Sequence, residues 1–254
     1  MRLSLYKTDT IIFKTNKPTK MKITRLLAAL MLITATSTAL YAQDETHDPA
    51  AKKVLDKVLS TTKGYQTLRA SFDWAMENKV EKTKDTKSGF MFIKGDKYKL
   101  VMSGTEIFTD GTALWQYSKD INEVTINEVE EDAESIVSNP TKIFELYKSG
   151  FKYRLKEEIS ASVKTKVDGK VTSTKKTCYV IDLYPEKPAT VEYHTIRLLI
   201  DKATTQIASI DIMFKNGTDQ IIEITEYKPN TPMPDTLFTF DKAKYPGVEI
   251  NDMR

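Results

Sequence analysis

The sequence predicts a mainly β protein with α cover, in which one large, curved antiparallel sheet of ten or eleven strands is capped by two or three helices. Apolar and polar residues alternate with a period of two along most of the chain from Leu68 onward, as in strands with one buried face. Turn-forming dipeptides separate these runs at spacings that suit antiparallel hairpins. Helical patterns occupy only short stretches.

The first predicted helix follows residue 47. Asp48 is a suitable N-cap, Pro49 suits the first helical position, and Gly64 is a suitable C-cap. Its apolar stripe consists of Val54, Leu55, Val58 and Leu59. One face of this helix is therefore expected to pack against the sheet.

The strands are predicted from the alternating runs. Turns are expected at Gly95-Asp96, Asp110-Gly111 and Asp168-Gly169. A sheet of this many strands does not stay flat, so it is expected to curl with its apolar positions inside. Those positions are Phe72, Trp74, Met76, Phe90, Phe92, Tyr98, Leu100, Met102, Ala113, Trp115, Tyr117, Val124, Ile126, Ile181, Leu183, Ile196, Leu198, Ile200, Ile210, Ile212, Phe214, Ile222 and Ile224.

A second short helix is predicted to begin at Asn139-Pro140 and to end before Gly150. Its apolar face consists of Ile143, Phe144, Leu146 and Tyr147. This helix is expected to cover the concave face of the sheet.

Two interpretations of the large aromatic residues remain open from the pattern alone. Trp74, Trp115, Tyr117 and Phe144 either fill a solid core or line a cavity that holds a small ligand, as in some barrels. Alternation does not distinguish these cases, and a shift of one residue in register would exchange the two faces of a strand.

The N-terminal region has the pattern of a secretory signal. Residues 21–42 comprise basic residues, an apolar run at 26–33 that is too short to span a bilayer, and small residues ending at Ala42. Cleavage is expected after Ala42, or alternatively after Ala39. Residues 1–20 are interpreted as an N-terminal extension without structure, and 43–254 as a single domain exported to the periplasm without lipidation.

Charge and cysteine content exclude several classes of function. Seven of the 38 basic residues but one of the 35 acidic residues lie in 1–42, which leaves 31 basic and 34 acidic residues in 43–254. This balance does not favour binding to nucleic acid. Cys178 is the only cysteine, so no intramolecular disulfide forms.

Catalytic and metal-binding patterns are weak. His47 and His194 have no evident nucleophile or acidic partner. The acidic run at 127–134 does not match a cation-binding loop. The sequence also has no glycine-rich phosphate loop. We therefore expect no enzyme activity, no metal and no cofactor.

Several motifs resemble the periplasmic outer-membrane lipoprotein carriers of the LolA type. FTDGTALWQYSKDINEVTI at 108–126 resembles their hairpin, and PDTLFTFDKAKYPGVEINDMR at 234–254 resembles their closing Phe-x-Phe and Gly-Val pattern. LRASFDW after the first helix and SNPTKIFELY in the place of the lid helix also fit. The resemblance extends over about 50–254.

This resemblance implies an unclosed β-barrel covered by helices, with a cavity for lipoprotein acyl chains. It implies acylated lipoproteins as cargo, an inner-membrane ABC-type lipoprotein-releasing complex as donor, and an outer-membrane acceptor, and we expect a monomer. Many members carry an arginine that latches the lid, where this chain has GFMFIKGDKYKL at 89–100 without arginine. The candidate acyl-chain residues are Trp74, Phe90, Phe92, Leu100, Met102, Trp115, Tyr117, Ile143, Phe144, Tyr147, Leu198, Ile212 and Phe214.

Two functions of other classes are kept as alternatives. A regulator or adaptor that binds a lipoprotein or peptide on the same fold, without shuttling, would form stable complexes in the absence of lipid. A lipid hydrolase would need a nucleophile and a base that converge in the cavity, and the sequence offers no such pair.

Overall fold

The fold is built on one 12-stranded sheet and one α-helix within residues 47–129, 140–167 and 169–254, which are the residues that the computed structural model describes. The extension 1–20, the signal peptide 21–42, most of the acidic run 127–134, and Asp168 lie outside the described residues. The mainly β class and the curved, unclosed sheet are confirmed. The strand and helix counts were wrong, because the last strand has no alternation and the second helix is not α-helical.

Helix α1 spans Pro49–Lys63 and begins and ends as the sequence predicts. Asp48 is the N-cap, and its Oδ1 accepts a hydrogen bond of 2.8 Å from the backbone N–H of Ala50. Gly64 is the C-cap. Asp48 also fixes the helix to the sheet, since its Oδ2 accepts from the backbone N–H of Leu155 at 2.9 Å. Among the described residues, no helix has the length and apolar character that a membrane span requires.

The strands form hairpins along most of the chain, and glycines with positive φ occupy the predicted turns at Gly95 and Gly111. The 12 strands are β1 (Leu68–Asn78), β2 (Thr83–Lys94), β3 (Lys97–Met102), β4 (Thr105–Thr109), β5 (Ala113–Ser118), β6 (Glu123–Glu128), β7 (Phe151–Val167), β8 (Lys170–Pro185), β9 (Tyr193–Asp201), β10 (Ile207–Phe214), β11 (Thr218–Pro229) and β12 (Glu249–Asp252).

The order across the sheet is β12-β6-β5-β4-β3-β2-β1-β11-β10-β9-β8-β7. Two hairpin arrays, β1 to β6 and β7 to β11, are therefore joined along one antiparallel seam between β1 and β11. The seam contains a register shift between Ser71 and Phe72, and such bulges bend a sheet. The order ends at β12 on one side and at β7 on the other, so the sheet is not closed into a barrel.

The predicted second helix is a pair of short 3₁₀ turns, Pro140–Phe144 and Leu146–Lys148, here called the roof segment. The expectation of a regular helix is thus corrected. These stretches are too short to form a stable α-helix, because the first turn is costly and few hydrogen bonds follow it.

The main core lies on the face of the sheet that α1 covers, here called the inner face. Ala51, Leu55, Val58 and Leu59 of the helix are buried against isoleucines and leucines of β8, β9 and β10, including Ile181, Leu198 and Ile210. The roof segment adds Ile143 and Tyr147 to this core. Helix α1 thus packs on the side of the sheet formed by β7 to β10.

The opposite face, here called the outer face, is covered by the chain that follows β11. In this C-terminal segment (230–248), Phe240 stacks on Tyr245 with ring centroids 4.7 Å apart. Both rings pack on Phe108 and Tyr117 of the β4–β5 hairpin. The segment then ends in β12, which pairs in parallel with β6. The sheet therefore has apolar clusters on both faces.

We predict that Asp48→Ala lowers the free energy of unfolding by about 1–2 kcal/mol, because one carboxylate satisfies both Ala50 and Leu155. Burial opposes the charge of Asp48, but these hydrogen bonds outweigh it and lower the pKa of the carboxyl group. Its contribution should therefore be present above the unfolded-state pKa and be lost as pH falls through the lower folded-state pKa. Urea unfolding at neutral and acid pH measures this, with Lys53→Ala as control. An equal deficit at both pH values would contradict the prediction.

Candidate functional site

An apolar cavity of about 220 Å³ lies on the inner face beside α1. The cavity lies over the seam of the sheet. Its lining residues come from β1, β2 and β3 on one side of the seam and from β10 and β11 on the other. Ile143 and Phe144 of the roof segment complete it. The cavity thus lies where the helix does not cover the sheet.

The register of the seam explains why so many apolar side chains converge there. Phe72 lies opposite Ile224, Trp74 lies opposite Ile222, and all four line the cavity. Among the described residues that line the cavity, two have polar side chains, Gln220 and Tyr227. The hydroxyl of Tyr227 donates to the backbone carbonyl of Ile207 at 3.1 Å, and burial raises the pKa of this phenol. The lining is therefore suited to aliphatic rather than polar ligands.

Gly89 creates room for one of the cavity walls. It lies opposite Phe72 in the β1–β2 pair. A Cβ atom at Gly89 would lie 2.6 Å from Cζ of Phe72 and 2.8 Å from the carbonyl oxygen of Val101. The absence of a side chain therefore allows the Phe72 ring to lie across β2.

The roof segment is fastened to α1 by polar contacts. The hydroxyl of Tyr147 donates to Oδ1 of Asp56 at 2.7 Å, and Nζ of Lys63 lies 2.8 Å from Oε1 of Glu145. Burial and the hydrogen bond to Asp56 raise the pKa of Tyr147. The hydrogen bond from Lys52, followed by that from Tyr147, lowers the pKa of Asp56. These few contacts position Ile143 and Phe144 over the cavity.

The structure brings part of the predicted site together. The candidate residues that line the cavity are Trp74, Leu100, Met102, Ile143, Phe144 and Ile212. Three others, Tyr147, Leu198 and Phe214, lie in the inner-face core without lining the cavity.

Four candidate residues lie on the outer face. Phe90 and Phe92 flank Met91, whose side chain lines the cavity, and successive side chains in a strand point to opposite faces. Trp115 and Tyr117 pack with Phe240 and Tyr245 of the C-terminal segment. The expectation that Phe92, Leu100, Trp115, Tyr117, Phe144 and Tyr147 share one interior is therefore corrected. A strand that is apolar on both faces gives no alternation from which to assign its faces.

Sequence reasoning did not assign several wall residues to the site. Phe72, Ile210, Ile222 and Ile224 were recognised only as apolar strand positions, and the alternation that revealed them carried no information about the seam. The other unassigned wall residues are Leu68, Ala70, Met91, Ile207, Gln220 and Tyr227.

The stretch that lacks the family arginine contacts the C-terminal segment. Nζ of Lys94 donates to Oδ1 of Asp235 at 2.7 Å and to the carbonyl oxygen of Met233 at 3.2 Å. Lys97 also contacts Asp235, at 3.0 Å. These lysines thus fasten the C-terminal segment to the β2–β3 hairpin.

Histidine, cysteine and acidic side chains do not gather into a metal site within the described ranges. Cys178 is fully buried in a small cluster with Val163 and Ala208, and burial raises the pKa of its thiol.

Comparison with protein families gives a match. The family model described as outer membrane lipoprotein carrier protein LolA matches residues 39–196. Comparison with curated protein sequences gives no significant match.

Comparison with solved structures gives distant matches. An uncharacterized conserved protein from Thermus thermophilus is 11% identical, with a TM-score of 0.49, over 80% of this chain and 99% of that chain. The lipoprotein LppX from Mycobacterium tuberculosis is 13% identical, with a TM-score of 0.42, over 74% and 98%. A LolA-superfamily protein from Nitrosomonas europaea is 12% identical, with a TM-score of 0.39, over 76% and 98%.

We predict that Gly89→Ala lowers the free energy of unfolding by about 1–3 kcal/mol, because the added methyl group forces Phe72 or the β3 backbone to move. Thr86→Ala, at an exposed position of the same strand, is the control and should change stability by less than about 0.5 kcal/mol. Chemical denaturation measures both. Equal stabilities of the two variants would show that the Phe72 ring does not need the space above Gly89.

We predict that Tyr147→Phe loosens the roof segment while α1 remains folded, because only the hydrogen bond to Asp56 is removed. Amide hydrogen exchange followed by mass spectrometry should show faster exchange in peptides covering 142–148 and unchanged exchange in 52–60. Tyr179→Phe on β8 is the matched control. Unchanged exchange at 142–148 would mean that apolar packing alone holds this segment.

Proposed function

The chain belongs to the outer membrane lipoprotein carrier protein LolA family, and from this premise we propose that its inner-face cavity binds the acyl chains of lipoproteins. Carrier-type binding of lipoproteins or lipids is the function that the family supports. The finer proposal is that the protein takes lipoproteins from an inner-membrane ABC-type releasing complex and passes them to an outer-membrane acceptor, as a periplasmic monomer.

The observation that carries this proposal is the composition of the cavity wall. Apart from Gln220 and Tyr227, each described residue that lines the cavity of 220 Å³ is apolar. Two side chains of a short 3₁₀ segment cover this cavity. Moving an acyl chain out of water contributes about 0.8 kcal/mol per buried CH₂. An aliphatic tail therefore gains much of its binding free energy without any specific polar contact.

The size of the cavity implies that the roof segment moves during loading. A volume of 220 Å³ is below the range of about 300–1,000 Å³ typical of small-molecule pockets. A long acyl chain therefore needs additional room, which displacement of Ile143 and Phe144 would provide. Exposing these side chains costs free energy, and this cost lowers the net affinity. A carrier needs a moderate affinity for its ligand, because a ligand bound too tightly is not released.

We assign no catalytic residue to the cavity, because Gln220 and Tyr227 do not form a pair of nucleophile and base. Transfer of a lipid tail between two apolar environments requires no covalent step. The proposal is therefore a binding protein and not an enzyme.

Complex formation with one lipoprotein in two forms tests the proposal. The acylated form and a form whose acylated cysteine is replaced by serine are each mixed with the protein, and complexes are detected by size-exclusion chromatography. A soluble complex with the acylated form alone is expected. Equal binding of both forms would overturn acyl-chain recognition and favour a regulator that binds the protein part. Transfer from inner-membrane to outer-membrane vesicles then tests shuttling.

We predict that Phe144→Asp reduces the affinity for acylated cargo by at least about tenfold, because an unpaired carboxylate in an apolar cavity costs several kcal/mol. Phe90→Asp is the matched control, since it makes the same change on the outer face at a position that is 37% exposed. It should bind cargo as the unmodified protein does. Thermal melts of both variants establish that each is folded.

A Phe90→Asp variant that loses binding while Phe144→Asp retains it would place the acyl chain on the outer face. That result would contradict the assignment of the cavity.

A further inference from the structure

A second, larger cavity of about 440 Å³ adjoins the apolar one and differs from it in chemistry. It lies between the C-terminal end of α1, the β2–β3 turn and the roof segment, and is here called the polar cleft. Two residues, Leu68 and Phe144, line both cavities. The residues that line the polar cleft are Leu59, Thr62, Lys63, Tyr65, Gln66, Thr67, Leu68, Ile93, Gly95, Asp96, Lys142, Phe144 and Glu145.

The charges of the polar cleft are balanced. Lys63 and Lys142 are matched in number by Asp96 and Glu145. The ion pair between Lys63 and Glu145 has a distance of 2.8 Å. A phosphate group is normally bound by an excess of cationic donors. The described residues of the polar cleft offer no such excess, so the polar cleft does not favour an anionic ligand.

Its uncharged groups suit a ligand that forms ordinary hydrogen bonds. Tyr65 and Gln66 line the polar cleft and carry both donors and acceptors, and the Thr62 hydroxyl, which donates to the carbonyl oxygen of Val58 at 3.0 Å, keeps an acceptor. Gln66 is exposed, so a ligand can reach its amide without displacing the core. Such groups match the alternating donors and acceptors of a peptide backbone.

We propose that the polar cleft binds the neutral, amide-rich head of an amphiphile whose acyl tail occupies the apolar cavity. The inference rests on the proposed function, since it requires a tail in the adjoining cavity. Its ligand class is an acylated peptide segment, such as the first residues after an acylated N-terminus. Phe144 lies on the boundary between head and tail, so its displacement opens both cavities together.

This arrangement gives the polar cleft a role in selectivity. An acyl tail contributes most of the affinity but is common to phospholipids, fatty acids and acylated proteins. Discrimination must therefore come from the head, because a buried donor or acceptor left without a partner costs about 1–3 kcal/mol. The charge balance of the polar cleft would disfavour anionic phospholipids, which are abundant at a membrane surface.

Three probes with the same palmitoyl tail test the inference: a palmitoyl-Gly-Ser-Gly amide, 1-palmitoylglycerol and 1-palmitoyl-lysophosphatidylglycerol. Isothermal titration below their critical micelle concentrations should rank the peptide first and the anionic lipid last, with a difference of at least about tenfold. The glycerol probe distinguishes a need for amides from a need only for a neutral head.

Variants that fill one cavity at a time connect this ranking to the structure. Gln66→Trp places a large ring in the polar cleft, so the three affinities should become similar while tail binding persists. Thr62→Trp is a second variant with the same expectation. Ile212→Trp fills the apolar cavity and should weaken all three probes, whereas Ser173→Trp, exposed on the β7–β8 hairpin, should change none. Thermal melts verify that each variant is folded.

The outcomes separate the inference from the proposed function. Equal affinities of the three probes for the unmodified protein, or tightest binding of the anionic lipid, would overturn the inference and leave acyl-chain binding intact. A ranking that survives both Gln66→Trp and Thr62→Trp would also overturn it. Failure of every probe to bind would instead contradict the proposed function.

Discussion

A helix of limited length has to cover the inner face of a much wider sheet, and the interior of this protein follows from that mismatch. Helix α1 has 15 residues and is therefore about 22 Å long. The sheet has 12 strands, which at normal spacing extend over about 50 Å. Whatever its orientation, the helix leaves part of the inner face without cover. The uncovered part includes the seam between β1 and β11, and the cavity lies there because the roof segment covers the seam only partly.

The sequence predicted the elements whose cause is local. Asp48, Pro49 and Gly64 define the ends of α1 through chemistry that acts within one or two turns of helix. Gly95 and Gly111 mark hairpin turns because those positions have positive φ. The curved, mainly antiparallel sheet was predicted from the alternation of apolar and polar residues along the strands. The roof segment was predicted in place and in apolar character but not in its 3₁₀ form, because the apolar spacing does not reveal that each stretch is too short for a stable α-helix.

The assignment of strand faces failed where the cause is distant in sequence. Trp115 and Tyr117 are apolar because Phe240 and Tyr245, more than 100 residues later in sequence, cover the outer face. Phe90 to Ile93 are apolar in succession because β2 has apolar neighbours on both sides, so one interior could not be inferred from alternation. The pairing of β1 with β11 could not be predicted from the alternation either. The contribution of Ile222 and Ile224 to the cavity wall depends on that pairing, so it was not predicted. The candidate residues on β1 and β3, Trp74, Leu100 and Met102, do lie on the inner face, where charged residues such as Asp73 and Lys99 on the other face preserve the alternation.

The inner-face cavity can form during folding only after the seam between β1 and β11 has paired. The hydroxyl of Thr67, just before β1, donates to the carbonyl of Thr231, just after β11, and these residues are 164 positions apart. Hairpins within each array can form early, since their contacts are local, whereas this pairing must close a long loop and is expected to be slow. Until it closes, each array exposes half of an apolar wall along an unpaired edge, which is a site for aggregation. The newly synthesised chain is therefore most vulnerable in the interval before β11 reaches β1, and a holding chaperone would protect it there.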